Sequence, residues 1–347
     1  MKHYAGLDVS LKETTICVVD DGGAVVGRGT VATDPDAIAA FFAGAAARGV
    51  ARMVHESGQL SIWLDRALKA RGLPVVCIDA RRASKALSAR VNKSDRGDAE
   101  GLAQLARTGW FSPVHVRSEP AERLRALIGS REQLMRLRVQ LEGHARGMLK
   151  SFGHRLGSVA PGKDRAGFRA QLTAAADGDP VLEVIAESLA QAHATICAAA
   201  SALEEELVAI ARTSPLAGRL MTVPGVGPLV ALGFIATIDD AGRFRRAADV
   251  GAYFGLTSRR WQSGEVDYSG RISKCGDARM RSLLFEAATC LILRVRRFSP
   301  LKAWAMRLAA RKGLRKAAVA TARKLAVILF VLWRDATTFR WKSEAKA

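Results

Sequence analysis

Four carboxylates stand out by type and spacing. Asp8 closes the apolar stretch Tyr4-Ala5-Gly6-Leu7, and Glu56 closes Arg52-Met53-Val54-His55. Asp95 and Asp98 sit three residues apart in Lys93-Ser94-Asp95-Arg96-Gly97-Asp98. If that segment is helical, the pair shares one face. Like charges gathered at one point repel, and a cation or a proton must neutralise them. Hard oxygen donors favour magnesium or manganese over zinc. The four acids therefore read as a magnesium-binding set for phosphoryl transfer. The plainer reading makes Asp95 a helix cap and Asp98 a solvated first-turn acid. Asp8 resists it, because an acid ending an apolar strand needs a partner.

The elements that must position these acids follow from the pattern. Residues 4–9, 14–20 and 25–31 read as strands, with Asp21-Gly22-Gly23 turning the second into the third. A helix is expected over 35–49, a strand over 52–56, a helix over 60–70 and a strand over 75–80. The polar segment that opens at Asp95 reads as a helix to about residue 107. Three meandering strands followed by strand–helix alternation predict a mixed sheet with helices on its faces. Sites in open α/β sheets form beyond strand ends, where Asp8 and Glu56 fall.

Charge then points to the partner. The 347 residues carry a net charge of +20, which predicts an anionic ligand, most simply nucleic acid. Residues 1–212 hold 28 Lys+Arg against 24 Asp+Glu, whereas 213–347 hold 25 against 9. The electrostatic footprint therefore lies in the last third. Five cysteines form no CxxC pair, which fits reduced thiols in a cytoplasmic protein and argues against disulfides and zinc. No secretory signal is read at the start. The apolar run 325–333 is far shorter than the roughly 20 residues a bilayer requires, so no membrane partner is expected.

Between these regions the texture is helical. Leu127, Leu134, Leu141 and Met148 recur every seven residues, beside Ile128, Met135 and Leu149. Leu182, Leu189, Ile196, Leu203 and Ile210 repeat the period, with Ile185, Ala192 and Ala199 as partner positions. Two heptad-patterned helices joined through a Gly-containing stretch, 153–178, suggest a helical hairpin or coiled coil. Three domains are expected: 1–115, 116–212 and 213–347.

The basic third begins with Val223-Pro224-Gly225-Val226-Gly227, a helix–hairpin–helix-like turn. Gly225 and Gly227 there would expose backbone N–H groups to a phosphate. Thr257-Ser258-Arg259-Arg260-Trp261-Gln262-Ser263-Gly264 follows, then a polar loop over 265–270 and a basic run holding Arg271, Lys274, Arg279 and Arg281. Residues 282–293 read as a buried helix. Arg311, Lys312, Arg315 and Lys316, with Trp304, Trp333 and Trp341 interleaved in the last helices, suit a phosphate backbone.

Taken together these stretches resemble the DEDD transposases of bacterial insertion sequences, the family that includes the pilin-gene inversion recombinase. The resemblance runs nearly end to end. It rests on G-L-D-V-S at 6–10, H-E-S-G at 55–58, N-K-S-D-R-G-D-A at 92–99, V-P-G-V-G at 223–227, G-L-T-S-R-R-W-Q-S-G at 255–264 and S-K-C-G at 273–276. It implies a RuvC-like, ribonuclease-H-fold domain whose ligands are Asp8, Glu56, Asp95 and Asp98, with a two-ion magnesium site. It also implies a central coiled coil and a mainly α-helical C-terminal transposase domain. The family's serine nucleophile maps onto Ser263. Members similar to this chain pair donor and target DNA through a structured non-coding RNA, a bridge RNA, and act as dimers or tetramers in which the acids of one subunit meet the serine of another. Two other readings share features of the chain. A RuvC-like junction resolvase would use the acids with activated water and need no serine; a nucleic-acid-binding scaffold would need neither.

Overall fold

The computed structural model describes residues 2–44, 49–87, 95–157 and 165–341. Asn92, Lys93 and Ser94 of the acidic motif, residues 45–48 of the helix expected over 35–49, and part of the 153–178 stretch lie outside them. The chain divides into two units, 1–117 and 118–347.

The first unit holds a five-stranded sheet: β1 (His3–Val9), β2 (Glu13–Val19), β3 (Val25–Ala32), β4 (Val50–Glu56) and β5 (Val75–Ile78). Their order is β3-β2-β1-β4-β5. The first three pair antiparallel, whereas β1, β4 and β5 run parallel. Helices α1 (Pro35–Ala43) and α2 (Ser61–Ala70) connect the strands, and α3 (Ala80–Leu87) and α4 (Asp95–Thr108) follow β5. This is the mixed sheet the pattern predicts, and it fits a ribonuclease-H-like domain. Leu7, Ile16, Val18, Leu64 and Leu68 fill one side of the sheet, while Ala99, Ala103 and Leu102 of α4 cover the other. α3 was not foreseen. Asp79 caps it through Oδ1, which accepts from the Arg82 N–H at 2.9 Å.

The second unit is helical apart from one hairpin. Its longest elements are α5 (Glu119–Lys150) and α7 (Pro180–Thr213), which pack against each other with α6 (Arg165–Ala174) at one end. Ser118 and Asp179, each one or two residues before a proline, cap the two long helices. The buried stripe of α7 is Ala186, His193, Ala200 and Leu207, joined by Leu182, Cys197 and Ala211. The expected period of seven is present, but the seam lies one residue beyond Leu189, Ile196 and Ile210, which are only half-buried. Adjacent apolar pairs such as Ile196-Cys197 leave the phase of a heptad open, and small side chains let the helices approach. His193 is fully buried in the seam, 3.1 Å from a Glu142 oxygen.

The rest of this unit is one core. α8 (Pro215–Leu220), α9 (Pro228–Ile238), α10 (Ala247–Tyr253), α11 (Ala278–Leu293), α12 (Pro300–Lys312) and α13 (Leu314–Arg334) surround Phe234, Phe254, Leu329 and Phe330, all wholly enclosed. Each such side chain contributes roughly 1.5–3 kcal/mol. The apolar run 325–333 is thus the buried face of α13, and among the described residues no helix is long and apolar enough to cross a membrane. The stretch expected as a polar loop over 265–270 is instead a strand. β6 (Ser258–Ser263) and β7 (Val266–Ile272) pair antiparallel around the two-residue turn Gly264-Glu265. Gly264 takes φ +55°, the conformation that a tight hairpin turn demands of its first residue.

Candidate active site

Strand alternation decides which way the acids face. A Cβ on Gly6 would lie 2.2 Å from the Ala99 carbonyl and 2.3 Å from the Ala103 nitrogen. Residue 6 therefore faces α4, and so does Asp8, two residues on. On β4, His55 turns the other way. Its Nε2 lies 3.4 Å from Asp65 Oδ1 on α2, and both side chains are buried. Glu56, the next residue, thus points to the α4 side. Parallel register pairs Leu7 with His55, so Asp8 and Glu56 are the next residues along neighbouring strands.

Helix α4 supplies the other two. Arg52, opposite Tyr4 near the start of β1, reaches the Ala106 carbonyl at 3.1 Å, while Ala99 lies over Gly6. The helix therefore runs antiparallel to β1, and its first turn lies toward the Asp8 end. Ala99, Leu102, Ala103 and Ala106 form its sheet-facing stripe. Asp95 is one turn before Ala99, and Asp98 one turn before Leu102, so both carboxylates extend that stripe past the last sheet contact.

All four acid positions thus belong to one end of one sheet face. Among the described residues no three acids, histidines or cysteines are gathered so that they could hold a metal ion. The donor chemistry nevertheless suits a hard divalent cation, for the set is four carboxylates with no thiol or imidazole among them. His55 belongs to a separate buried group. Burial raises the Asp65 carboxyl, but hydrogen bonds from His55 and Lys69 outweigh it and leave the group below its ordinary value. The same burial, with Asp65 nearby, pushes the Cys77 thiol up to about 11. That group braces β4 behind Glu56. Only the spacing of His55 beside Glu56 hinted at it in the sequence.

The approach at Gly6 is testable. Gly6→Ala forces a methyl group into the α4 backbone, and overpacking of this kind costs about 1–3 kcal/mol. The expected result is a lower melting temperature together with loss of DNA cleavage. Gly58→Ala, whose Cβ would meet no atom within 4 Å, should melt with the wild type.

Ser263 lies in the other unit. It is exposed, ends β6 and pairs with Val266 beside the hairpin turn. Trp261, on the same face, stacks on Tyr268 at 5.0 Å and covers Gly270. Arg260 pairs with Asp267 at 2.5 Å, which holds that carboxyl below its ordinary value. Arg259 donates to the Ser273 carbonyl at 3.0 Å. Lys274 sits at φ +56°, and Arg271 is exposed.

Several basic residues expected to meet nucleic acid are engaged within the unit. Arg281 donates to the carbonyls of Phe254, Cys275 and Gly276, and Arg279 pairs with Glu132 at 2.5 Å. Gly225 takes φ +87°, and a Cβ there would sit 2.5 Å from the Ala287 carbonyl of α11, so its smallness serves packing. Gly227 has open space around it. Arg311, Lys312, Arg315 and Lys316 are all exposed around the α12–α13 junction.

Comparison with known proteins decides the class. Residues 5–154 match a DEDD transposase family of the IS110 type, and residues 217–303 match the transposase IS116/IS110/IS902 family. The chain belongs to the IS110 family of DEDD transposases. It is similar to the transposase for insertion sequence element IS1111A of Coxiella burnetii, 28% identical over 340 residues, covering 96% of this chain and 90% of that one. A Sinorhizobium fredii protein bearing a transposase name is 31% identical over 254 residues, 72% of this chain and 64% of its own. The transposase for element IS1328 of Yersinia enterocolitica is 28% identical over 251 residues, 72% and 74% of the two chains. Membership makes this transposase an enzyme that cleaves and rejoins DNA, in a family that generally depends on divalent metal. The first match spans all four acids, and the second spans Ser263.

Proposed function

We propose that the chain is the transposase of an insertion sequence that works through Asp8, Glu56, Asp95 and Asp98 as ligands of magnesium and through Ser263 as nucleophile, with a structured non-coding RNA pairing donor and target DNA. The reading rests on one observation: the four acid positions share one end of one sheet face, although nearly ninety residues separate the first from the last. Bound magnesium would polarise the scissile phosphate and stabilise the leaving oxygen.

The chain's own groups do the rest. A serine hydroxyl is a weak nucleophile and needs its proton removed; a carboxylate at the sheet end supplies an acceptor. The Ser263 oxygen bonds to phosphorus as the phosphate–sugar oxygen bond breaks, and the departing sugar oxygen takes up a proton. One phosphodiester is exchanged for another, so the bond energy is conserved for rejoining. Arg259, Arg260 and Lys274 stand near the hairpin to meet phosphate charge, and Gly227, with the exposed α12–α13 cations, meets the backbone. An exposed serine at a hairpin tip suits delivery to the acids of another subunit, and the paired long helices suit a role in joining subunits.

Mixing two inactive variants tests this arrangement. Asp8→Ala and Ser263→Ala proteins, each silent alone, should together regain recombination, because a mixed oligomer keeps one intact pairing of acids and serine. No recovery in demonstrably mixed oligomers would mean that acids and serine act within one chain.

A further inference from the structure

The first unit carries a groove that the acids do not use. It has a volume of about 350 Å³ and lies between α3, Leu105 of α4 and the segment just after α4. Its floor is apolar, made by Ala83, Ala86, Leu105 and Phe111. Trp110 stands at its side with 73% of its surface exposed, the second most exposed of the large apolar side chains described. Arg82 and Lys85 line the same groove from α3, a helix with three cations and no acid.

Each part has a reason to be where it is. Segment 112–114 runs antiparallel to β5: the Asp79 N–H donates to the Ser112 carbonyl at 3.0 Å, the Val114 N–H to that of Cys77 at 2.8 Å. That pairing holds Trp110 and Phe111 beside α3. The Arg82 guanidinium bonds the Ser112 hydroxyl and so ties the two walls together. Phe111 is half-buried with Arg52 over its ring at 5.6 Å, whereas Trp110 is left to solvent. Asp79, the one acid among the described residues that line the groove, is turned to the start of α3 as its cap.

An exposed indole over an apolar floor, with cations on one wall, is the combination that receives an unpaired base. The ring stacks on the base face, and the cations meet the adjoining phosphates. The groove's location favours DNA as its source. α3 begins two residues after Ile78, and Ile78 pairs with Glu56 at the end of β4. The α3 edge of the groove thus begins beside the strand end that carries Glu56.

We infer that the groove holds one unpaired nucleotide of the DNA substrate, its base stacked on Trp110 and its phosphates against Arg82 and Lys85. This rests on the reading of the sheet end as the place where DNA is cut. A pocket of this kind would keep a nucleotide that has left the duplex beside a break from re-annealing.

The test uses the full chain without divalent ions, so that no cleavage is required. A labelled single-stranded DNA is titrated by fluorescence anisotropy against wild type, Trp110→Ala and Trp110→Phe, and a 5-iodouracil version of the oligonucleotide is photocrosslinked and mapped. Trp110→Ala should bind about ten-fold more weakly, the scale of one stacked base, and Trp110→Phe within about three-fold of wild type, since a smaller ring still stacks. Duplex affinity should not change, and the crosslink should fall on the peptide containing Trp110. Unchanged single-strand affinity, or crosslinks confined to other peptides, would overturn the inference. So would an effect seen only with RNA of the same sequence, or a change of oligomeric mass in Trp110→Ala without a change of affinity. Cleavage by Asp8→Ala is scored separately, with divalent ions present. A negative result here would thus remove the groove while leaving the assignment of the acids standing, and a cleaving Asp8→Ala protein would do the reverse.

Discussion

Asp8→Ala should abolish DNA strand cleavage while DNA binding stays within about two-fold of wild type. Asp8 ends β1 on the face that Gly6 opens to α4, beside Glu56 and beyond the last sheet contact of the helix. A metal ligand at that position would contribute to the transition state and little to the fold. Metal-assisted stabilisation of a phosphoryl centre is worth several kcal/mol, and each 1.4 kcal/mol is about ten-fold. Cleavage should fall by at least about a thousand-fold. Asp8→Asn sharpens the test because it keeps the side chain's shape and removes its charge. Adding magnesium should stabilise the wild type more than the variant. Cleavage at wild-type rate by either variant would remove Asp8 from the site.

Ser263→Ala should remove the covalent protein–DNA adduct that the proposed chemistry forms. The side chain is exposed at the hairpin tip, where substitutions usually change stability by no more than about 0.5 kcal/mol. Loss of the adduct would therefore report chemistry and not unfolding. The measurement is a denaturing gel of labelled DNA after incubation with protein and magnesium: wild type carries label into the protein band, and the alanine variant does not. A persistent band in Ser263→Ala sinks the serine as nucleophile. Cleaved DNA without any adduct in the wild type would favour hydrolysis by water, the resolvase chemistry.

Much of the first unit was legible because its signals are local. Aliphatic and β-branched runs and Asp21-Gly22-Gly23 marked β1 to β3, and the acid ending each apolar run marked Asp8 and Glu56 as unusual. The β6–β7 hairpin was harder. Its residues are nearly all exposed, so no buried face separates a strand from a polar loop, although the Gly264-Glu265 turn was a signal. The basic residues of the last third illustrate the opposite failure. Arg279 and Arg281 look like any other cations in a charge run, yet Glu132 and three backbone carbonyls engage them. A charge count cannot tell a solvated guanidinium from a paired one.

By itself the chain determined most of its elements, with α3 and β7 the exceptions, along with their order, the heptad period and the kinds of group available for chemistry, since propensity and periodicity act over a few residues. Only the tertiary structure decided direction and company. The contact at Gly6 turned α4 antiparallel to β1 and carried Asp95 and Asp98 to the end where Asp8 and Glu56 stand. Packing placed Ala186, His193 and Ala200 in the helical seam and left the adjacent Ile185, Ala192 and Ala199 outside it. Which groups meet across dozens of residues depends on packing, and packing is settled by shape and volume in three dimensions, which spacing along a chain does not encode.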